Sequence, residues 1–359
     1  MKTGLCVLFG LGLISSEANA QSSVTLFGVA DIYTEFLSNQ QGVPGSGAAT
    51  SIRMASGGKS GSRWGLKGTE DLGEGWQAVF KLESDIDLNT GSGVGSGGFD
   101  RSAWVGLQNV QWGTLRLGRQ YTTLFDIMEH YSPTVAYSTI YEPDGAIVGL
   151  NFRENNVVKY LLQIGNLLLE SHYSVGGTAG AFQSGAGSGA GFDYNAGALS
   201  FAAAYDDING TAPGAISHFR RYAASSVYTL ARLQLVAGVT AGNGNVSTPG
   251  VVTRYTFYWI GTRYQVSDAL QIIDAFYYED IKAMNPALGQ PATRPANPQQ
   301  VTLQLNYFLS KATTLYLTSG YVRKAALDFD NYNYNFLNYS LAANRSSSLG
   351  IALGMRKTF

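Results

Sequence analysis

Residues 62–87 alternate, position by position, between apolar side chains and charged or polar ones. The apolar positions are Trp64, Leu66, Trp76, Ala78, Phe80 and Leu82. The interleaved positions include Arg63, Lys67, Lys81, Glu83 and Asp85. A repeat of two residues is typical of an extended strand, whose successive side chains point to opposite faces of a sheet. The pattern therefore predicts strands with one apolar face and one strongly charged face.

The charged face limits what such a sheet can enclose. In a packed core, Lys81, Glu83 and Asp85 would each cost several kcal/mol in desolvation. If they face a water-filled lumen, the same side chains stay solvated, and the apolar row contacts lipid or a partner subunit. We therefore predict that the lumen-facing residues are Lys67, Lys81, Glu83, Asp85 and Lys159.

Alternating segments recur along the chain, and we predict about sixteen strands. Their ranges are 23–36, 62–69, 75–87, 100–108, 113–120, 155–164, 166–175, 189–195, 197–206, 219–229, 231–241, 253–265, 269–281, 299–308, 313–323 and 346–359. Many are close to the ~9–11 residues that a tilted membrane-crossing strand needs. Residues 21–359 contain no uncharged apolar run of about 18 residues, so a membrane role requires a barrel.

The connections alternate between short turns and long loops. The long loops are 37–61, 121–154, 176–188, 207–218, 242–252, 282–298 and 324–345. This alternation is typical of outer-membrane barrels, which have short periplasmic turns and long external loops. The glycine-rich runs at 91–98 and 185–191 are predicted to lie in loops. The predicted fold class is all-β, a transmembrane antiparallel β-barrel of about sixteen strands.

The last predicted strand carries the alternation to the end of the sequence. Leu349, Ile351, Leu353 and Met355 share one parity with the final residue, Phe359. A single strand of this kind also fits a half-buried strand of a soluble sheet, such as that of a secreted lectin. The repetition over about sixteen segments favours the barrel.

The first twenty residues resemble a cleaved secretory signal. Lys2 precedes a short apolar run, and small residues end the segment at Ala20. This run is shorter than the ~20 residues of a spanning helix, which disfavours a membrane anchor. We predict a signal peptide at 1–20, export, and a single barrel domain at 21–359. Cys6, the one cysteine of the chain, would leave with the signal.

Charge and histidine spacing bear on the class of function. The chain has 24 basic and 25 acidic residues, so bulk charge does not favour nucleic-acid binding. The histidines, His130, His172 and His218, lie far apart in sequence and show no metal-ligand spacing. His130, with Glu129 and Asp126, could form a proton-transfer or metal cluster, but we favour an electrostatic role for these residues. We predict no enzyme activity and no cofactor, although an outer-membrane barrel hydrolase remains an alternative.

Several motifs together resemble the general porins of the outer membrane, of the trimeric neisserial and burkholderial type. They are SVTLFGVADIY, SRWGLKGTEDLGEGWQAVFKLES, FDRSAWVGL, WGTLRLGRQYT, RENNVVKY and the terminal Phe359. The resemblance spans the whole mature chain. It implies a sixteen-stranded barrel, a homotrimer, and a long third loop folded into the lumen as a constriction. It also implies contact with outer-membrane lipid and lipopolysaccharide, and Phe359 as a signal to the barrel-assembly machinery.

The third long loop, 121–154, would then present acids to arginines on the opposite wall. The acids are Asp126, Glu129, Glu142 and Asp144. The wall candidates are Arg53, Arg63, Arg101, Arg119 and Arg153. Any one of these arginines could instead be a solvated surface residue or part of an ion pair at a subunit contact.

Strand parity separates these arginines. Arg63 and Arg153 have the parity opposite to their apolar neighbours. Arg101 and Arg119 share the apolar parity, so a lumenal position requires a bulge or a strand end. Arg53 is expected in a loop, and its role rests on the resemblance alone.

The expected function is passive diffusion of small hydrophilic solutes and ions, with a modest preference for anions. The loop acids could reverse that preference. A channel specific for small organic anions is the main alternative.

Overall fold

The computed structural model describes residues 22–43, 47–93, 95, 97–135, 140–149, 152–211, 218–244, 252–285, 296–332 and 339–359. The predicted signal peptide lies outside the described residues. The strands are β1 (Ser23–Gln41), β2 (Ala48–Ser56), β3 (Arg63–Gly73), β4 (Trp76–Asp87), β5 (Ser92–Gly93), β6 (Ser102–Asn109), β7 (Gly113–Tyr121), β8 (Arg153–Ile164), β9 (Leu167–Ser174), β10 (Gly187–Ala196), β11 (Leu199–Asn209), β12 (His218–Leu230), β13 (Leu233–Gly244), β14 (Val252–Gln265), β15 (Leu270–Met284), β16 (Gln299–Ser310), β17 (Thr313–Arg323) and β18 (Ser347–Thr358).

All the strands pair in the antiparallel sense, and β1 pairs with β18, which closes the sheet into a barrel. Residues 32–41 of β1 pair with β2, and residues 23–29 of β1 pair with β3. The strands β2 and β3 therefore share one position beside β1. The two-residue β5 pairs with the end of β4. The 18 strands therefore fill 16 positions around the barrel, which confirms the predicted fold class.

The outer face of the barrel is apolar and the inner face is largely polar. On β16, Val301 and Leu303 are 52% and 44% exposed, whereas the interleaved Gln300, Thr302 and Gln304 are buried. A water-soluble sheet protein would place these two rows the other way round. Hydrocarbon-facing strands show this arrangement, because a closed barrel satisfies every ladder hydrogen bond while its outer side chains contact lipid. Among the described residues, no helix is both long and apolar enough to span a membrane.

Residues 122–152 connect β7 to β8 and are called here the β7–β8 segment. It contains α1 (Thr123–Met128), a 3-10 helix (Glu129–Tyr131) and α2 (Asp144–Val148). The Thr122 side chain caps α1 by accepting a hydrogen bond from the Phe125 amide, 3.3 Å away. Apolar side chains of both helices are buried in one cluster with the inner-face aromatic residues Phe257, Trp259 and Tyr277.

Hydrogen bonds also attach this segment to the inner wall. Trp259 donates its indole N–H to the Tyr131 carbonyl, 2.9 Å away, and Tyr255 donates its hydroxyl to the Ala146 carbonyl at 3.1 Å. Thr240 donates to the Ile147 carbonyl at 3.1 Å. The segment is therefore held against the inner faces of β13 and β14.

Two of the differences between the structure and the sequence prediction bear on the inner wall of the barrel. Residues 48–56, predicted as part of a loop, form β2, because an extension of β1 to Gln41 gives them a pairing partner. Residues 187–191, part of a glycine-rich run predicted to lie in a loop, belong to β10, so the strand predicted at 189–195 begins two residues earlier, at Gly187. A Cβ at Gly187 would lie 2.3 Å from a Glu154 carboxylate oxygen, and one at Gly189 would lie 2.6 Å from the His172 ring. Glycine there makes room for these inner-face side chains.

Candidate functional site

A cavity of about 510 Å³ lies between the β7–β8 segment and the inner faces of the early strands. Its basic lining residues are Arg53, Arg63, Lys81, Arg101 and Arg153. Its acidic lining residues are Glu83, Asp85, Asp87, Glu129 and Asp144. Four of the five predicted wall arginines and two of the four predicted loop acids therefore come together in one place.

Glu83 on β4 organises the basic wall. Its carboxylate lies 2.6 Å from the Lys81 ammonium and 2.6 Å from Arg101 Nε. Arg63 Nε lies farther away, at 3.8 Å. The side chain of Glu83 is almost fully buried, and the surrounding cations offset the cost of burying its charge. Glu83 therefore positions the side chains of Lys81, Arg101 and Arg63.

Arg101 and Arg153 meet at the hydroxyl of Tyr121, the last residue of β7. Arg101 Nη2 donates to this oxygen at 2.7 Å and Arg153 Nη2 donates at 3.0 Å. Arg101 also pairs with Asp85. Arg101 reaches inward despite its apolar parity because it stands just before β6 begins at Ser102.

Arg53 and Arg119 differ from their expected positions. Arg53 lies on β2 and not in a loop, and its Nε lies 2.5 Å from a carboxylate oxygen of Glu35. Arg119 does not line the cavity. It donates to the Asp100 carbonyl at 2.6 Å and to the Asn155 side chain at 2.7 Å, beside a register shift in the β7–β8 pairing.

Among the predicted loop acids, Glu129 and Asp144 line the cavity. Burial, together with the carboxylate of Asp126, raises the pKa of Glu129 to about 7. Burial and the nearby carboxylate of Glu142 raise the pKa of Asp144 well above its usual range. Both effects reduce the negative charge that the segment presents to the arginines near neutral pH.

Asp126 and Glu142 have other partners and do not line the cavity. Asp126 lies 2.5 Å from the Lys159 ammonium, which also contacts Glu170 at 2.7 Å. Glu142 accepts a hydrogen bond from the Tyr277 hydroxyl at 3.0 Å and is buried. Both acids therefore anchor the segment to the wall, which differs from their expected orientation toward the arginines.

The predicted lumen-facing residues all lie on the inner parity of their strands. Lys81, Glu83 and Asp85 line the cavity. Lys67 lies opposite Lys81 in the β3–β4 pairing, and both ammonium groups lie over the Phe27 ring, at 5.7 and 5.5 Å. Lys159 is buried behind α1.

Sequence reasoning missed two residues that position the lining. The Asp31 carboxylate accepts hydrogen bonds from the amides of Gly58, Lys59 and Ser60, at 3.1, 2.9 and 3.0 Å. Its partner hydroxyl, from Tyr316, lies 2.6 Å away. The second residue, on β14, is Arg263, which donates to the carbonyls of residues 130, 132 and 133 in the β7–β8 segment. The alternation of the sequence could have indicated both residues, because Asp31 and Arg263 occupy inward-facing positions of β1 and β14.

The histidine hypothesis finds little support in the described part of the chain. His130 is exposed and lies 3.7 Å from Glu129, while Asp126 pairs with Lys159. No group of three or more His, Cys, Asp or Glu side chains suited to a metal ion occurs among the described residues.

At the level of sequence, the profile of the family described as Gram-negative porin matches residues 6–326. The chain belongs to the Gram-negative porin family. An outer membrane porin protein of Bordetella pertussis is 40% identical over 129 residues, which cover 33% of this chain and 34% of that one. The match thus spans about a third of that relative's length. Family membership and the closed barrel together place this porin in the outer membrane.

Solved structures share the fold of this porin. An anion-selective porin from Comamonas acidovorans superposes with a TM-score of 0.76 and 22% identity, covering 94% of this chain and 100% of that chain. A trimer form of OmpT from Vibrio cholerae has a TM-score of 0.68 and 15% identity, with 94% and 99% covered. At these identities, the similarity to the two solved structures shows a shared barrel fold and nothing more.

Proposed function

We propose that this porin forms a water-filled channel for the passive diffusion of small hydrophilic solutes and ions, with a modest preference for anions. One observation carries the proposal. Four arginines and a lysine on the inner wall face the β7–β8 segment across a cavity of about 510 Å³. We infer that this segment narrows the channel at that level, since it is tied to the opposite inner wall.

The preference for anions follows from the charge of the lining. The five basic and five acidic side chains would balance if all were ionised. The raised pKa values of Glu129 and Asp144 leave the lining with an excess of positive charge near neutral pH. In a narrow, low-dielectric constriction such an excess attracts anions and repels cations.

Planar-bilayer recording tests this function. Purified protein in a potassium chloride gradient should give stepwise conductance increases. The sign of the reversal potential should show that chloride is more permeant than potassium. A clear cation preference would contradict the proposed selectivity, and absence of steps would contradict the channel itself. A hydrolase assay on the same detergent-purified sample separates the channel from a barrel hydrolase. Family membership favours the channel, since porins are channels.

We further propose that three copies assemble into a homotrimer in the outer membrane, in contact with lipid and lipopolysaccharide, after delivery by the barrel-assembly machinery. The exposed apolar outer face supports burial against lipid or a second copy. Phe359 is proposed to carry the assembly signal. Its backbone pairs with that of Gly28, with amide-to-carbonyl distances of 2.9 and 3.1 Å. Cross-linking in detergent, followed by mass determination, measures the number of copies.

A further inference from the structure

Tyr141, in the β7–β8 segment, is fully buried and holds a backbone conformation that tyrosine rarely adopts. Its φ angle is +59°, in the left-handed region, where a residue with a Cβ is uncommon. Such a conformation costs energy and persists only where the surroundings impose it. The side chain is 0% exposed, so its contacts inside the barrel impose this conformation.

Two glycines on neighbouring strands form a socket for the Tyr141 ring. Gly320 on β17 and Gly350 on β18 lie directly opposite each other in the sheet. A Cβ at Gly320 would lie 2.8 Å from Cβ and Cγ of Tyr141, and one at Gly350 would lie 2.5 Å from its Cζ and hydroxyl oxygen. At Gly350, the three atoms nearest to the added Cβ all belong to Tyr141. Glycine at both positions therefore makes room for one aromatic ring.

Polar groups around the socket bind the polar atoms of Tyr141. Its hydroxyl donates to a carboxylate oxygen of Glu35 on β1, 2.9 Å away, and its carbonyl accepts from the Thr302 hydroxyl. Its amide donates to Asp328 Oδ2 at 2.9 Å. Asp328 belongs to the connection between β17 and β18, and its Oδ1 accepts a hydrogen bond from the Gln300 side chain at 2.9 Å. Tyr141 is therefore held both by the barrel wall and by that connection.

Glu35 links the socket to the basic wall of the cavity. Its second carboxylate oxygen lies 2.5 Å from Arg53 Nε, and Arg53 lines the cavity. Tyr339, after the η-turn of the β17–β18 connection, donates its hydroxyl to Glu35 at 3.1 Å. On the other side of the cavity, α2 begins at Asp144, three residues after Tyr141. A displacement of Tyr141 would therefore move one side of the cavity relative to the other.

We propose that Tyr141 is the positioning residue of the constriction: its ring, seated in the Gly320–Gly350 socket, fixes how far the β7–β8 segment extends across the channel. The apolar cluster and hydrogen bonds described above hold the segment at β13 and β14, and the socket holds it at β17, β18 and β1. Without the socket, the opening is no longer fixed and admits larger solutes in its wider states, because pore diameter limits what passes. This inference rests on the proposed diffusion channel and names what sets its width.

Entry of neutral sugars into proteoliposomes tests the socket, because uncharged solutes are sorted by size and not by the charge of the lining. Tyr141→Ala empties the socket and should raise the ratio of sucrose to glucose entry rates. Tyr141→Phe keeps the ring and should retain the ratio of the unmodified protein. Tyr228→Ala, on the exposed outer face of β12, is the matched control and should also retain it. An unchanged ratio in folded Tyr141→Ala would overturn the inference, while glucose entry through the unmodified protein would still support the channel.

Gly350→Ala tests the socket from the wall side and keeps Tyr141 in the chain. The added methyl group displaces the ring, so this variant should lower the thermal midpoint of unfolding and raise the sucrose-to-glucose ratio. Gly98→Ala, where an added Cβ meets nothing within 4 Å, should change neither. If Gly350→Ala keeps the midpoint and the ratio of the unmodified protein, the ring does not occupy the socket and the inference fails.

Discussion

The ammonium group of Lys159 on β8 lies 2.5 Å from a carboxylate oxygen of Asp126 on α1. The same ammonium contacts Glu170 at 2.7 Å, and the Lys159 side chain is fully buried. One buried cation therefore joins the β7–β8 segment to the barrel wall. On sequence grounds these residues had separate roles, Lys159 in the lumen lining and Asp126 opposite the arginines. Their pairing explains why Asp126 does not reach the cavity.

Replacing this cation should strongly destabilise the barrel. In Lys159→Met, Asp126 and Glu170 face each other without a neutralising charge, and loss of one partner of a buried pair costs about 3–5 kcal/mol. Thermal unfolding in detergent, followed by circular dichroism, should show a lower midpoint. Lys282→Met removes a lysine whose side chain is 43% exposed and paired with Asp280, so it should change the midpoint little. A combined Lys159→Met, Asp126→Asn and Glu170→Gln variant should recover part of the loss.

The preference for anions should depend on pH through Glu129. Its pKa of about 7 means that the carboxyl is mostly ionised at pH 8 and mostly neutral at pH 6. As the pH falls through this range, the cavity loses negative charge and the preference for anions rises. Reversal potentials at pH 6, 7 and 8 measure the change. Glu129→Gln should flatten the response, whereas Glu74→Gln, in an exposed turn, should preserve it. An unchanged response in Glu129→Gln would assign the titration to another group.

The barrel could be predicted because each strand carries its own evidence. Side-chain parity is a local property of the sequence. Within one strand, the apolar Val301 and Leu303 alternate with the polar Gln300 and Thr302, and this alternation already distinguishes the two faces. Strand β2 was missed because its existence depends on how far β1 extends. Its outward residues Ile52 and Met54 form an alternation too short to predict a strand by itself. The pairing with β1 is what makes this segment a strand.

The site could be predicted in part, for a related reason. Parity placed Arg63 and Arg153 on the inner face, because this property belongs to the strand itself. The partners of the loop acids are not local. Glu142 bonds to Tyr277, 135 positions away in sequence. No spacing within residues 121–154 could reveal that Asp126 and Glu142 anchor the segment while Glu129 lines the cavity.

Arg263 should control the rigidity of the β7–β8 segment. Its guanidinium donates to the carbonyls of Pro133 and His130 at 2.9 and 3.0 Å, so one side chain holds both the 3-10 helix and the residues that follow it. Hydrogen bonds from a charged donor contribute about 1.5–3 kcal/mol each. Arg263→Met should therefore increase current noise and brief closures in single-channel records. Arg232→Met, whose side chain is 59% exposed, is the control. Equally quiet records from Arg263→Met would mean that the apolar cluster alone holds the segment.

Gly28 should matter for barrel closure. A Cβ at this position would lie 2.3 Å from the Phe359 ring and 2.8 Å from the Arg63 carbonyl oxygen, and the latter contact is with backbone. Gly28→Ala should therefore slow folding of the barrel into detergent micelles and lower its thermal midpoint. Gly97→Ala, where an added Cβ meets nothing within 4 Å, should fold like the unmodified protein. Equal folding rates for the two variants would show that the β1–β18 closure tolerates a side chain there.

The arginine that lacks a carboxylate partner should dominate the selectivity. Arg101 and Arg53 are partly neutralised by Glu83 and Glu35, whereas Arg153 presents its full charge to the cavity. A unit charge about 4 Å from a passing ion contributes about 1 kcal/mol even in bulk water, where it attracts an anion and repels a cation, so Arg153→Ser should lower the anion-to-cation permeability ratio by about five-fold or more. Reversal potentials in a potassium chloride gradient measure the ratio. Arg119→Ser removes an arginine that stands outside the cavity and should change it far less. If the two variants shift the reversal potential equally, the charge at Arg153 does not lie on the ion path.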